Sequence, residues 1–226
     1  MSLVTGTRRP RSCLYDGAFY GAIAEPMLRN LHRFIADHLP PGERVLDACC
    51  GTGGLSRILA KQGRTVRGVD LSPRHVAYAR RRAAEDGLDE GRLAFEVADI
   101  AGIAQPPEGP FDVATIVLAL HEMPSTARLP VVEALTRAAR RVMIVDFAAP
   151  MPWNVAGLRN RGMELLAGRE HFGAFRDYQR RGGLPGLLRQ LDVSVELERP
   201  LDAGTMGVWL LASPLRAGSA APRAGD

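Results

Sequence analysis

The chain has 226 residues, 46% of them hydrophobic and 24% charged, with a formal net charge of +4. These values fit one soluble globular domain, or one domain with a cap. Three cysteines, two of them adjacent as Cys49 and Cys50, exclude a disulfide framework and lack the spacing of a zinc site. No apolar stretch approaches the ~20 residues that a membrane-spanning helix needs. Lys61 is the only lysine, so nearly all the basic charge is arginine, interspersed with acidic residues. Without a long basic block, no nucleic-acid partner is expected.

In chain order, residues 1–12 read as disordered, and Arg8, Arg9 and Arg11 have no apolar signal core behind them. A cytoplasmic protein is the resulting expectation. Tyr15, Asp16 and Tyr20 follow. Met27, Leu28, Leu31, Phe34, Ile35 and Leu39 have helical spacing, and Pro40-Pro41-Gly42 ends that helix. Strands and helices then alternate. Strands are expected over Arg44–Cys49, Thr65–Asp70, Leu93–Val97, Phe111–Leu118 and Arg141–Phe147. Helices are expected over Gly53–Gln62, Pro73–Glu85, with Ser72 as its cap, and Ser125–Ala139. Alternation of this kind predicts an α/β fold, a Rossmann-like doubly wound sheet with helices on both faces.

The pattern changes after residue 147. Residues 148–191 carry no strand signal and read as helices around Val155–Ala167 and Phe172–Leu191, the second interrupted at Gly182-Gly183. Two strands follow, Asp192–Glu198 and Thr205–Ala212, joined by a turn at Pro200–Gly204. The expected organisation is an arm and helix over 1–40, a core over 41–147, a helical cap over 148–191, and an antiparallel closing hairpin over 192–212. Residues 213–226 read as a floppy tail.

The most informative stretch is Val45-Leu46-Asp47-Ala48-Cys49-Cys50-Gly51-Thr52-Gly53-Gly54. An apolar strand meets an acid and a glycine-rich bend, and a helix follows. Here an open α/β sheet presents backbone N–H groups to a ligand. A second acid, Asp70, closes the next strand, and Asp99 follows the third. A glycine loop alone is weak evidence, but the three acids with the loop form a set suited to a nucleoside cofactor.

This set resembles the class I S-adenosylmethionine-dependent methyltransferases, whose first motif reads hydrophobic-hydrophobic-Asp/Glu-x-Gly-x-Gly-x-Gly. In this chain Cys49 stands at the first glycine position. The resemblance covers residues 40–148 and, more loosely, the final hairpin. It is nearest to the ubiquinone and menaquinone biosynthesis enzymes and small phospholipid methyltransferases. It implies S-adenosyl-L-methionine as cofactor and S-adenosyl-L-homocysteine as product. It also implies roles by position. Asp47 orients the amino-acid end of the cofactor, and Cys49, Gly51, Thr52 and Gly53 wrap it. Asp70 holds the ribose hydroxyls. Leu71 packs on adenine, and Asp99 and Ile100 flank it. Val117 and Leu118 lie nearest the methyl group, and Tyr15 and Tyr20 fold over the cofactor from the N-terminal segment.

Leu118-Ala119-Leu120-His121-Glu122-Met123-Pro124 then faces the acceptor. His121 is the expected general base, since an ordinary imidazole accepts a proton near neutrality. Glu122 is placed to bind a substrate cation or hydroxyl. No metal is expected, because Ser125 stands where a zinc-protease motif needs its second histidine, and Pro124 would disturb the helix. A dinucleotide-dependent oxidoreductase fits poorly, lacking the full glycine pattern. The cap, with Trp153, Met163, Leu165, Leu166, His171, Phe172, Phe175 and Tyr178 beside several arginines, suits an apolar, lipid-like or anionic small-molecule acceptor, or peripheral contact with a membrane. The expectation is methyl transfer to a small molecule. A non-catalytic cofactor-binding regulator is the alternative, and a nucleic-acid methyltransferase ranks below it.

Overall fold

The computed structural model describes residues 28–103, 106–107 and 109–213. Tyr15, Asp16 and Tyr20 lie outside the described residues, as do the expected disordered start and residues 214–226. The chain begins with α1 (residues 28–37) and then alternates through β1 (Arg44–Ala48), α2 (Gly54–Lys61), β2 (Thr65–Asp70), α3 (Pro73–Glu85), β3 (Leu93–Val97), β4 (Phe111–Val117), α4 (Ser125–Ala138) and β5 (Ala139–Phe147). Three helices follow, α5 (Val155–Leu166), α6 (Arg169–Arg180) and α7 (Gly183–Leu188), and the strands β6 (Ser194–Leu201) and β7 (Met206–Ala212) close the fold.

All seven strands form one sheet in the order β3-β2-β1-β4-β5-β7-β6. β1 to β5 are parallel, while β7 pairs antiparallel with both β5 and β6. The order turns back at β1. The chain moves outward through β2 and β3 and returns to place β4 on the other side of β1. Val45 pairs with Val66 on one flank and Val113 on the other. Crevices at such switch points, outside the carboxyl ends of the strands, are where open α/β sheets take ligands.

The strands read as nearly continuous apolar runs because helices cover both faces. Val45, Val66, Val113 and Val145 face a core shared with Ile35 of α1, Leu55 and Leu59 of α2, and Val76 and Ala79 of α3. Their neighbours Leu46, Ala114, Ile116 and Ile144 face the opposite core, with Val132 and Leu135 of α4, Phe175 and Tyr178 of α6, and Leu184 of α7. A two-residue period thus divides each strand between two layers.

Three expectations need correction. The second cap helix starts earlier than Phe172, at Arg169, while the expected interruption falls at Gly182, whose φ of 81° separates α6 from α7. β6 runs through Pro200 and Leu201, so the turn begins at Asp202. Pro200 is tolerated because β6 is an exposed edge strand. Ser213 is no tail residue. It is buried, its N–H donates to Arg140 O at 3.0 Å and its hydroxyl donates to Thr136 O.

Candidate functional site

A crevice opens at the carboxyl ends of β1 and β4. Its walls include Asp47, Cys49, Gly51, Thr52, Val117 and Leu118 of the sequence-derived set. It also includes Leu28 and His32 of α1. The loop between β1 and α2 owes its shape to positive φ angles, 55° at Cys49, 54° at Gly51 and 76° at Gly53. Gly53 has a second reason to be glycine, since a Cβ there would stand 2.6 Å from the Phe95 ring. At Gly51 a Cβ would meet nothing within 4 Å, so the loop is open on the side a ligand approaches. Cys49 and Leu118 are left-handed without being glycine, at 55° and 50°, and they face each other across the two strand ends that line the crevice. Strained backbone of this kind gathers at functional sites.

Asp70 is tied directly to this loop. Gly51 N–H donates to its Oδ2 at 2.9 Å and Ser72 N–H to its Oδ1 at 2.8 Å, with His75 Nδ1 at 3.7 Å. Burial alone would raise its pKa. The hydrogen bonds from His75, Ser72 and Gly51 outweigh that, and the carboxylate is held below its ordinary value, charged at the crevice edge. Leu71 beside it is 57% exposed, an apolar side chain more than half open among the described residues.

Asp47 has the opposite environment. It is buried and accepts from Ser56 Oγ at 2.5 Å and Thr115 Oγ1 at 2.9 Å. Burial pushes its pKa up to about 6, against the pull of those two hydroxyls. Its visible task is to brace the start of α2 against β1 and β4. Asp99 accepts from Ala101 N at 3.0 Å and caps the short turn Ile100–Gly102. The Ile100 side chain belongs to the core, 5% exposed. The Cys49 thiol is pushed far up by burial and by Asp70, so it stays protonated and is no nucleophile.

His121 and Glu122 sit in a short turn, Leu120–Glu122, just past Leu118. His121 is buried, and its Nδ1 lies 2.7 Å from Asp146 Oδ1 at the end of β5. Asp146 also accepts from Leu120 N, His121 N and Phe147 N, which fixes the turn onto β5. Burial lowers the affinity of the His121 ring for a proton, but Asp146, Glu122 and Glu164 together lift its pKa to about 9. With no cation among them, the surrounding carboxylates thus favour the protonated form of the ring. Arg128, 1% exposed, secures the same turn. Its Nε donates to Leu120 O at 3.0 Å, Nη2 to Ala174 O at 2.8 Å and Nη1 to Asp177 Oδ2 at 2.8 Å.

Two cap residues reach into this turn. Glu164 of α5 places Oε2 3.6 Å from His121 Nε2 and 2.7 Å from His171 Nε2 of α6. Glu122 Oε1 stands 3.7 Å from His121 Nε2 and 3.6 Å from His171 Nε2. Sequence reasoning placed His171 among general cap residues and passed over Glu164, Asp146 and His32. Only Asp146 had a legible signal, the apolar-to-acid step at a strand end that also marks Asp47, Asp70 and Asp99. His32 is a neutral ring at the crevice wall, its pKa lowered to about 4 by burial and then by Arg57.

Residues 45–143 match the family model described as a methyltransferase domain. Among curated proteins, the chain is 44% identical over 92 residues to a 2-methyl-6-phytyl-1,4-hydroquinone methyltransferase of Synechocystis, covering 40% of this chain and 27% of that protein. It is 38% identical over 74 residues to an S-adenosyl-L-methionine-dependent Diels-Alderase of Talaromyces variabilis, covering 33% of this chain and 25% of that one. These matches span well under half of each relative. Among solved structures, a SAM-dependent methyltransferase from Aquifex aeolicus superposes with a TM-score of 0.63 at 18% identity, over 87% of this chain and 98% of that one. Sheet order, crevice and family match agree: residues 45–143 match a methyltransferase-domain model, and the chain carries the fold of that SAM-dependent methyltransferase.

Proposed function

We propose that this protein binds S-adenosyl-L-methionine in the β1/β4 crevice and transfers its methyl group to a small molecule held between that crevice and α5–α6. The observation that carries the reading is the bond from Gly51 N–H to Asp70, which ties a charged carboxylate to the open glycine bend that lines the crevice. The bend suits the amino-acid end of the cofactor, Asp70 the ribose hydroxyls, and exposed Leu71 the adenine face. Asp99 fits an adenine contact through its place after β3, while Ile100 offers mainly backbone. Val117 and Leu118 border the end from which the methyl leaves.

When bound, the sulfonium group supplies an activated methyl carbon. The acceptor's lone pair forms the new bond as the carbon–sulfur pair returns to sulfur. The protein's part is to align the reactants and exclude water, and alignment of this sort contributes about 7–11 kcal/mol. His121 holds a polar, carboxylate-lined wall beside the acceptor rather than removing its proton. Glu122, 38% exposed at its side chain, is the carboxylate of that wall most open to an acceptor. The apolar face of α5, with Leu158, Leu165 and Leu166 exposed, suits an apolar or lipid-like acceptor. No helix among the described residues is long and apolar enough to cross a membrane. The free thiols at Cys49 and Cys50 fit a cytoplasmic location.

Isothermal titration with S-adenosyl-L-homocysteine tests the binding half, and saturable binding is expected. Incubation with methyl-labelled donor and pools of quinols, phenols and lipids tests transfer. The likeness to a Diels-Alderase favours one second reading, a cofactor bound without loss of its methyl group. Binding with no labelled product in any pool would support that reading. Absence of binding would end both.

A further inference from the structure

We propose that His121, Glu122 and His171, with Glu164 as a fourth donor, bind a divalent transition-metal ion of the zinc type beside the crevice. One donor atom from each of the first three lies within 4.8 Å of the others. The donors come from three separate elements, the turn after β4, α5 and α6, which Arg128 and Asp146 hold in register.

The spacing fits such an ion. Zinc holds nitrogen and carboxylate ligands at about 2.0–2.1 Å, so a tetrahedral shell spaces its donors about 3.3–3.4 Å apart. His121 Nε2 to Glu122 Oε1, His121 Nε2 to Glu164 Oε2, and His171 Nε2 to Glu122 Oε1 measure 3.7, 3.6 and 3.6 Å. A further edge, His171 Nε2 to Glu164 Oε2, is an ion-pair contact of 2.7 Å and needs to open by roughly half an ångström.

The surroundings add two further observations. His121 offers Nε2 to the cluster because Asp146 engages Nδ1 at 2.7 Å, the carboxylate–histidine arrangement that orients metal-bound imidazoles. Glu164 is 7% exposed, and its Oε2 lies within reach of both imidazoles, 2.7 Å from His171 Nε2 and 3.6 Å from His121 Nε2. Two imidazoles with one or two carboxylates suit zinc, cobalt or iron better than magnesium or calcium, which prefer all-oxygen shells. The sequence conceals the site because His-Glu at 121–122 is completed by a histidine from α6 and not by the residue four positions on. Resting on the methyl-transfer reading, an ion held by His121, Glu122 and His171 would take the acceptor's oxygen or sulfur in place of Glu164, which would receive the acceptor's proton.

The test uses the full chain, stripped with chelator and titrated with Co²⁺ by visible absorption and with Zn²⁺ by calorimetry. One equivalent should bind, with the d–d bands of a nitrogen–oxygen shell. His171→Gln and Glu122→Gln should each weaken binding at least about tenfold, and Asp146→Asn about 10- to 100-fold. Glu122 is partly exposed, so its variant should fold, which circular dichroism checks. No saturable binding by the parent chain, or parent affinity in both glutamine variants, would overturn the proposal. S-adenosyl-L-homocysteine titrated into the same stripped sample reports on the methyltransferase reading separately.

Discussion

Cys49 and Leu118 hold left-handed backbone that glycine would adopt without cost, and both line the crevice. Such a conformation costs a non-glycine residue about 1–2 kcal/mol. Cysteine is small and unbranched, so Cys49→Gly should change stability by less than about 1 kcal/mol, whereas Cys49→Val should destabilise by about 1–2 kcal/mol. Urea unfolding of the two variants checks this. In the proposed reading, Asp70 is the residue on which cofactor recognition turns. Asp70→Ala should weaken S-adenosyl-L-homocysteine binding by about ten- to a hundredfold, since hydrogen bonds to a charged partner contribute about 1.5–3 kcal/mol. Calorimetry measures the loss, with circular dichroism as a folding control because Gly51 and Ser72 lose their acceptor too. Asp47 has a folded pKa of about 6, above the ordinary value of 3.8. The folded state therefore holds its proton more tightly. Asp47 carries no penalty below pH 4, loses stability as pH rises from 4 to 6, and carries a penalty of about 3 kcal/mol above that. Asp47→Asn should flatten that part of the stability–pH curve. The loop, Asp47 and Asp70 were legible in sequence because local chain geometry makes them. The acidic surroundings of His121 were not, since Asp146 and Glu164 are brought near it only by folding.

At the scale of elements, the parallel strands were legible to within two residues. Each parallel strand is an apolar run bounded by turn residues, and Ser72-Pro73 marks the start of α3 by accepting from His75 N and supplying a fixed φ. The cap was legible as helical but not in its pairing. Nothing local says which face of α5 or α6 turns inward. Long-range contacts decide that, above all Arg128, which joins the turn at Leu120 to α6 through Ala174 O and Asp177. Arg128→Met keeps the apolar stem but leaves two carbonyls without their donor. It should cost about 2–3 kcal/mol in urea unfolding, and it should weaken Co²⁺ binding by loosening His171 against His121. Metal affinity unchanged in a folded Arg128→Met protein would show that α6 keeps its register without the arginine.

Across the whole molecule, function follows from where the sheet order reverses. The glycine bend and Leu118 line one crevice at the carboxyl ends of β1 and β4, and in the proposed reading α5–α6 stand over the acceptor side. The doubly wound core and closing hairpin were legible from the alternation of strands and helices. The acceptor was not, because methyl transfer rests on shape and alignment more than on a fixed set of reactive residues. The most direct measurement is a crystal structure of the chain soaked with S-adenosyl-L-homocysteine. It should show the amino-acid end over Gly51–Gly53, the ribose on Asp70, and sulfur near Leu118. Ligand bound elsewhere, with the β1/β4 crevice filled by the protein's own side chains, would contradict the account.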